Sequence, residues 1–150
     1  MTGEMPSFAD VEVELTRFIR RVRVTSMRRL ERIDPKLDYG TFMFLVGIVD
    51  AGDDGVRASE LADSLGVHKS TASRSVAALE RMGLVRREPD PDDGRAQLLI
   101  AQPVAVTGIA TYREDVSVRI AELLSGWEPH EISEFARGLA RLNAGGDTLA

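Results

Sequence analysis

Residues 58–95, ASELADSLGVHKSTASRSVAALERMGLVRREPDPDDGR, decide the fold. A short helical segment over about 59–65 closes at Leu65-Gly66-Val67, and a second over about 69–82 stops at Met82-Gly83. Ala62 and Gly66 stand four apart: the small side chain admits close packing of the second helix, and glycine takes the left-handed conformation that ends a helix sharply. Leu61, Leu65 and Val67 are the expected core of the pair. Residues 84–88 (LVRRE) and 96–101 (AQLLIA) have strand character, and the PDPDDGR between them is dense in turn formers, so they are expected to pair as an antiparallel hairpin. Helix, turn, helix and a hairpin with a protruding loop is the order of a winged helix-turn-helix.

The second helix has two unlike faces. At about 100° per residue, Ala72, Val76 and Leu79 share a narrow arc, while Ser70, Arg74, Ala77 and Arg81 lie opposite. Short side chains admit a helix to a major groove about 12 Å wide, and arginine can donate two bonds to guanine O6 and N7. Lys69, Ser70, Thr71 and Ser73 occupy the first turns, where phosphates and base edges are met near a helix N-terminus. In isolation this is equally an amphipathic helix with a solvated basic face.

The hairpin shifts that balance. Arg86 and Arg87 on the first strand and Arg95 after the loop surround the turn with guanidinium groups, and an arginine at such a tip suits an A·T-rich minor groove. Asp92 and Asp93 would repel phosphate if unpaired, so Asp93 is expected to hold Arg95 through a bidentate ion pair. A metal reading of Asp90, Asp92 and Asp93 is weak, because the run lacks the longer loop and distant glutamate that calcium sites use. The expected partner is double-stranded DNA.

Outward from this segment the periodicity predicts four more helices. Val11, Leu15, Phe18, Val22, Leu30 and Ile33 stripe a first helix over about 8–33, stopped by Asp34-Pro35. Asp38 is a candidate N-cap for a second, with Phe42, Leu45, Val46 and Val49 as its apolar face up to AGDDG at 51–55. Pro103 opens a long helix to about 125, with Ile109, Val116, Ile120 and Leu123 on one side. After the corner Trp127-Glu128-Pro129, Ile132, Phe135, Leu139 and Leu142 stripe a last helix to about 143, followed by a frayed tail. Six helices and a hairpin make the chain mainly α.

Composition narrows the function. At 150 residues the chain suits one domain over 1–150, and its 43% hydrophobic and 29% charged content is that of a globular protein. No apolar run approaches the roughly 20 residues of a membrane span, and MTGEMPSFADVEVE has no signal-peptide pattern, so no membrane partner and a cytoplasmic location are expected. Without cysteine, and with His68 and His130 as the only histidines, no disulfide, thiolate or histidine-rich metal site is expected, and no cofactor. There is no serine, histidine and acid grouping and no phosphate-cradling glycine loop, so an enzyme is not expected. The net charge of −5 argues against indiscriminate nucleic-acid coating. Distribution matters more: Arg17, Arg20, Arg21, Arg23, Arg28, Arg29 and Arg32 crowd one segment in which Glu31 is the only acid. That run lies near phosphates, lines an anion-accepting cleft, or solvates a surface, and charge runs are usually the last.

The segment SELADSLGVHKSTASRSVAALERMGLVRREPDPDDGRA resembles the core of the MarR family, the multiple-antibiotic-resistance type of bacterial transcription regulator. The helix-turn-helix, GLVRR and DPDDGRA carry the likeness over about 40 residues; the flanking helix order extends it, more weakly, to nearly the whole chain. The resemblance implies a homodimer built by dimerisation helices at 8–33 and 103–143, with a winged lobe over 38–101 in each subunit. It implies a repressor of nearby genes, relieved by small-molecule effectors. Helices one, five and six agree, since their stripes have too little chain to cover them in one subunit. Two lobes on a twofold axis would meet half-sites about 34–36 Å apart, in a palindromic operator. Ser70, Thr71, Ser73 and Arg74 match the recognition-helix positions, and Asp93 and Arg95 the wing pair. The family's effector cleft, between dimer helices and lobe, would here be bordered by Met27, Leu30, Phe42 and Phe44, although such a stripe is more often core.

Three departures stand out. His68 replaces the usual capping residue, predicting a helix that starts less firmly; Gly94 replaces a frequent arginine; QPVAV at 102–106 replaces the usual threonine and glycine before the fifth helix. Absence of cysteine excludes thiol-peroxide sensing. The alternative function is a winged-helix module that binds protein rather than DNA, which the acidic pI permits.

Overall fold

The computed structural model describes residues 7–146. The elements are α1 (Phe8–Leu30), α2 (Tyr39–Asp50), a 3-10 turn (Gly52–Asp54), β1 (Val56–Arg57), α3 (Ala58–Ser64), α4 (Lys69–Arg81), β2 (Val85–Pro89), β3 (Gln97–Ala101), α5 (Pro103–Leu123) and α6 (Pro129–Gly146). The expected mainly helical chain with a small antiparallel sheet is what folds. The hairpin, however, is the greater part of a three-stranded sheet of order β1-β3-β2. Two residues of β1 are too few to show a period of two in the sequence. Their pairing, Val56 with Leu99 and Arg57 with Leu98, nevertheless fixes where α3 begins.

Contacts divide the chain at Tyr112, within α5. In the first unit α2 is the centre. Asp38 caps it as expected, its carboxylate accepting the Thr41 N–H at 2.9 Å and the Thr41 hydroxyl at 2.7 Å. The burial extends beyond the one face that the sequence suggested: Phe42, Phe44, Leu45 and Ile48 are all buried, with Val46 and Val49 half-buried beside them. A helix covered on most sides is a core helix. From α4, the expected face of Ala72, Val76 and Leu79 is buried, and Leu99 of β3 and Leu30 of α1 complete the core.

Helix ends follow from local chemistry. Ser7 and Asp10 form a capping box, Ser7 Oγ accepting the Asp10 N–H and the Asp10 carboxylate accepting the Ser7 N–H. α1 ends at Leu30 rather than near residue 33, because Arg32 and Ile33 donate to carbonyls three residues back and tighten the chain into turns before Pro35. Gly66 (φ 63°) and Gly83 (φ 70°) adopt the left-handed conformation. At each, two bonds of a Schellman motif form: Val67 N–H to Ala62 O with Gly66 N–H to Asp63 O, and Leu84 N–H to Leu79 O with Gly83 N–H to Glu80 O. These glycines set the angle between α3 and α4 and the start of the hairpin.

In the second unit, residues 113–146, Trp127 meets Phe135 edge-on with ring centroids 5.5 Å apart, turning the corner into α6. α6 runs to Gly146, beyond the expected end near 143; the rest of the proposed frayed tail, residues 147–150, lies outside the described residues. Ile132, Phe135, Leu139 and Leu142 form the expected stripe and are all exposed in the single chain, as are Val11, Leu15 and Phe18 on α1. No helix among the described residues is long and apolar enough to cross a membrane.

Truncation at the centre of this lobe is expected to cost heavily. Leu79→Ala removes a fully buried side chain from the α2 and α4 contact, and should lower unfolding free energy by about 2–5 kcal/mol. Urea denaturation with an unchanged m-value is the check, and a loss well below that range would mean the core closes over the deletion.

Candidate nucleic-acid interface

α4 is held from behind and bare in front. Ala72, Ser75, Val76 and Leu79 face the core, whereas Lys69, Ser70, Ser73 and Arg74 are exposed and Thr71 is half-buried. Ser75 was not anticipated among the buried residues. His68 supplies no side-chain cap, and the first turn contains no acid. The N-terminal N–H groups of α4 therefore keep their positive end beside Lys69, an arrangement that favours an anion.

The hairpin divides its arginines by neighbour. Arg87 lies opposite buried Leu99 and is turned toward α4, where its fork grips Glu80 (Nε to Oε1 2.9 Å, Nη2 to Oε2 3.1 Å). That pair ties β2 to the back of α4 and commits Arg87 to the fold. Arg86, opposite Ile100, is exposed and pairs with Glu88 along the same strand. Arg95 is exposed beyond β2, on the loop.

The expected Asp93–Arg95 ion pair is not made. The Asp93 carboxylate instead accepts the backbone N–H of Arg95 at 3.1 Å. In so short a turn an aspartate reaches the amide two residues on more readily than a guanidinium that must fold back. Asp93 shapes the turn and leaves the Arg95 guanidinium outward. The aspartate that does pair is Asp90. It is only 6% exposed, and Oδ2 receives the Arg57 guanidinium (Nε 2.7 Å, Nη2 2.5 Å) while Oδ1 accepts the Asp92 N–H at 2.9 Å. Sequence reading missed this bond because the partners are 33 residues apart and Arg57 sits on the short strand β1. Both Asp90 carboxylate oxygens are thereby engaged within the fold. The Asp92 N–H and then the Arg57 guanidinium hold the Asp90 carboxyl below the ordinary aspartate value.

Of the four residues expected to border an effector cleft, three lie in the core and one at the surface. Leu30, Phe42 and Phe44 are sealed in the core, where Phe42 packs on Tyr112 with centroids 4.7 Å apart, and only Met27 is exposed. Tyr112 in turn shares a hydrogen bond with buried Ser26 at 3.0 Å, which links α1 to α5 beside α2. Surface clefts include one that joins Asp34, Pro35 and Lys36 to Ala78, Arg81 and Met82, and one along α1 between Arg17, Arg20, Arg21, Val24 and Thr25.

Residues 37–96 match the model of the MarR family. Over 133 residues the chain is 31% identical to the uncharacterized HTH-type transcriptional regulator YxaD of Bacillus subtilis (strain 168), covering 89% of this chain and 90% of that protein. Among solved structures the chain is similar to FabT from Streptococcus pneumoniae in complex with DNA, with a TM-score of 0.82 and 19% identity over 96% of this chain and 100% of that one. It is also similar to RV1404 from Mycobacterium tuberculosis, with a TM-score of 0.80 and 22% identity over 97% and 99%. At these identities the structural likenesses speak for the fold.

Acid should loosen the loop from its base. Because the folded Asp90 carboxyl lies below the ordinary value of 3.8, its contribution is complete above that pH and is lost as pH falls through the lower folded value. A carboxyl-detected NMR titration is expected to show Asp90 protonating below 3.8, moving upward in Arg57→Ala. A value at or above 3.8 in the unmodified protein would contradict the pairing.

Proposed function

The chain belongs to the MarR family of transcription regulators, and from that premise we propose that it is a homodimeric repressor of nearby genes that reads a palindromic operator. DNA-binding regulation, not enzymatic catalysis, is the activity of this family. The observation that carries the finer reading is the pairing pattern of the cations. Arg57, Arg86 and Arg87 are engaged by acids, while Arg74 on α4 and Arg95 on the loop face outward on an acidic chain.

In the proposed complex α4 lies in the major groove. Ser70, Thr71 and Ser73 meet phosphates and base edges at its start, Lys69 neutralises a phosphate, and Arg74 reaches a base edge. Arg95 enters the adjacent minor groove and Arg86 contacts the backbone beside it. Asp93 acts indirectly, by shaping the turn that carries Arg95. The lobe over 38–101 is thus the reading head. The helices over 8–33 and 103–143 form the dimer, a role supported by the uncovered apolar stripes of α1 and α6. Relief by a small-molecule effector belongs to the same proposal. Exposed Met27 and, behind it, buried Leu30, Phe42 and Phe44 are the candidate border of its site.

Two measurements test this reading. Titration of promoter-region DNA against a scrambled duplex at two salt concentrations should give tight, salt-sensitive binding to the promoter alone. Binding should weaken by at least about tenfold in Arg74→Ala/Arg95→Ala, since each good bidentate base contact contributes about 1–3 kcal/mol. Weak and equal binding to both duplexes, with the variant unaltered, would favour a protein-binding winged helix instead. For the dimer, light scattering should give twice the chain mass, and Phe135→Asp/Leu139→Asp should shift it to the monomer; an unmodified monomer at micromolar concentration rules the dimer out.

A further inference from the structure

We propose that the Arg57–Asp90 ion pair is the positioning element of the wing: it sets where Arg95 is held relative to α4, and neither partner touches DNA. The inference rests on the DNA-binding reading above and assigns a part of it to residues outside the reading surface.

Arg57 stands at a junction. Its backbone pairs opposite Leu98 of β3, and its N–H donates to Glu60 Oε2 as α3 opens. Gly55, two residues earlier, takes φ 70°, and a Cβ there would fall on Ile100 Cδ1 and lie 3.0 Å from the Leu99 carbonyl oxygen. The strand is therefore pressed against β3 with no room to shift, and the guanidinium starts from a fixed point where sheet and helix-turn-helix meet. Asp90 stands at the other end, at the base of the loop. Its N–H donates to Ala96 O at 3.1 Å, and the Ala96 N–H returns to Asp93 O at 2.8 Å, closing the loop on itself. Arg95 is the neighbour of that closure.

The remaining hairpin ion pairs lie off the loop. Arg87–Glu80 joins β2 to α4, and Arg86–Glu88 runs along β2. Asp93 bonds backbone within the turn. Among the described residues, Arg57–Asp90 is thus the side-chain bond that joins the loop 90–96 to another element. Cut there, no side chain from outside the hairpin holds the loop, and its own turn bonds open more readily as it moves on the end of the hairpin. A guanidinium on a swinging loop must be ordered at the moment of binding, and one already held need not be.

The sign of one substitution separates positioning from plain electrostatics. Asp90→Asn keeps the size of the side chain and removes a negative charge near phosphate, so electrostatics alone predicts tighter binding. Positioning predicts weaker binding, by about 2- to 10-fold per lobe, the usual cost of ordering one long side chain. The experiment titrates the full chain, Asp90→Asn, Arg95→Ala and the double variant against one promoter duplex, with amide hydrogen exchange on each free protein. The expected result is loss of affinity in Asp90→Asn that disappears in the Arg95→Ala background, with faster exchange at the Asp92 and Ala96 amides and unchanged exchange in α4. Equal or tighter binding by Asp90→Asn, or the same loss in both backgrounds, overturns the proposal. If the unmodified chain binds no duplex, the DNA reading itself fails, and exchange alone decides: unaltered Asp92 and Ala96 amides in Asp90→Asn overturn the positioning role, and faster ones sustain it.

Discussion

The lobe depends on the burial of α2. Phe42, Phe44, Leu45 and Ile48 leave this helix almost no solvated side, so α1, α4 and β3 each pack against it. A side chain that faces the core from α4 or β3 thereby fixes which residues face away. Ala72, Val76 and Leu79 turn inward, and Ser70, Ser73 and Arg74 turn outward as a geometric consequence. The proposed reading surface is the reverse side of a packing solution, so buried and outward residues alternate within one 13-residue helix.

Charge is arranged on the same principle of opposed sides. The chain carries a net charge of −5, yet several acids nearest the reading surface are engaged locally. Glu80 accepts Arg87, Glu88 accepts Arg86, and Asp90 accepts Arg57. What remains outward on α4 and the loop includes Arg74 and Arg95, with Asp93 turned to a backbone amide. An acidic protein can present a cationic face to a polyanion without excess positive charge, which restrains non-specific attraction elsewhere.

The repeating patterns were legible and the isolated contacts were not. Gly66 and Gly83 announced their helix ends because few residues other than glycine take that conformation, and Asp38 announced a cap because an aspartate before an apolar run has a local target. The burial of Val76 and Leu79 followed from helical spacing alone. Strand β1 has two residues and no period, and with it Arg57 was missed. Asp93 was assigned the wrong partner because spacing gives proximity but not the choice between an amide and a guanidinium. Phe44 and Ile48 were omitted from the predicted face of α2 because a helix buried on most sides has no single stripe to read. The stripes of α1 and α6 had the opposite difficulty: their period was plain, but their exposure in the single chain does not follow from it.

The hairpin loop also bears on how such a regulator diversifies. Gly94, where the family often has arginine, is not in the left-handed region, and a Cβ there would meet nothing within 4 Å. The backbone does not require glycine at this position. A cation could be gained or lost there by a single substitution while Asp90 keeps the base and Gly66 and Gly83 keep the helices. The charge of the loop and the stability of the lobe are therefore separable at Gly94, where a substitution changes the first without drawing on the second.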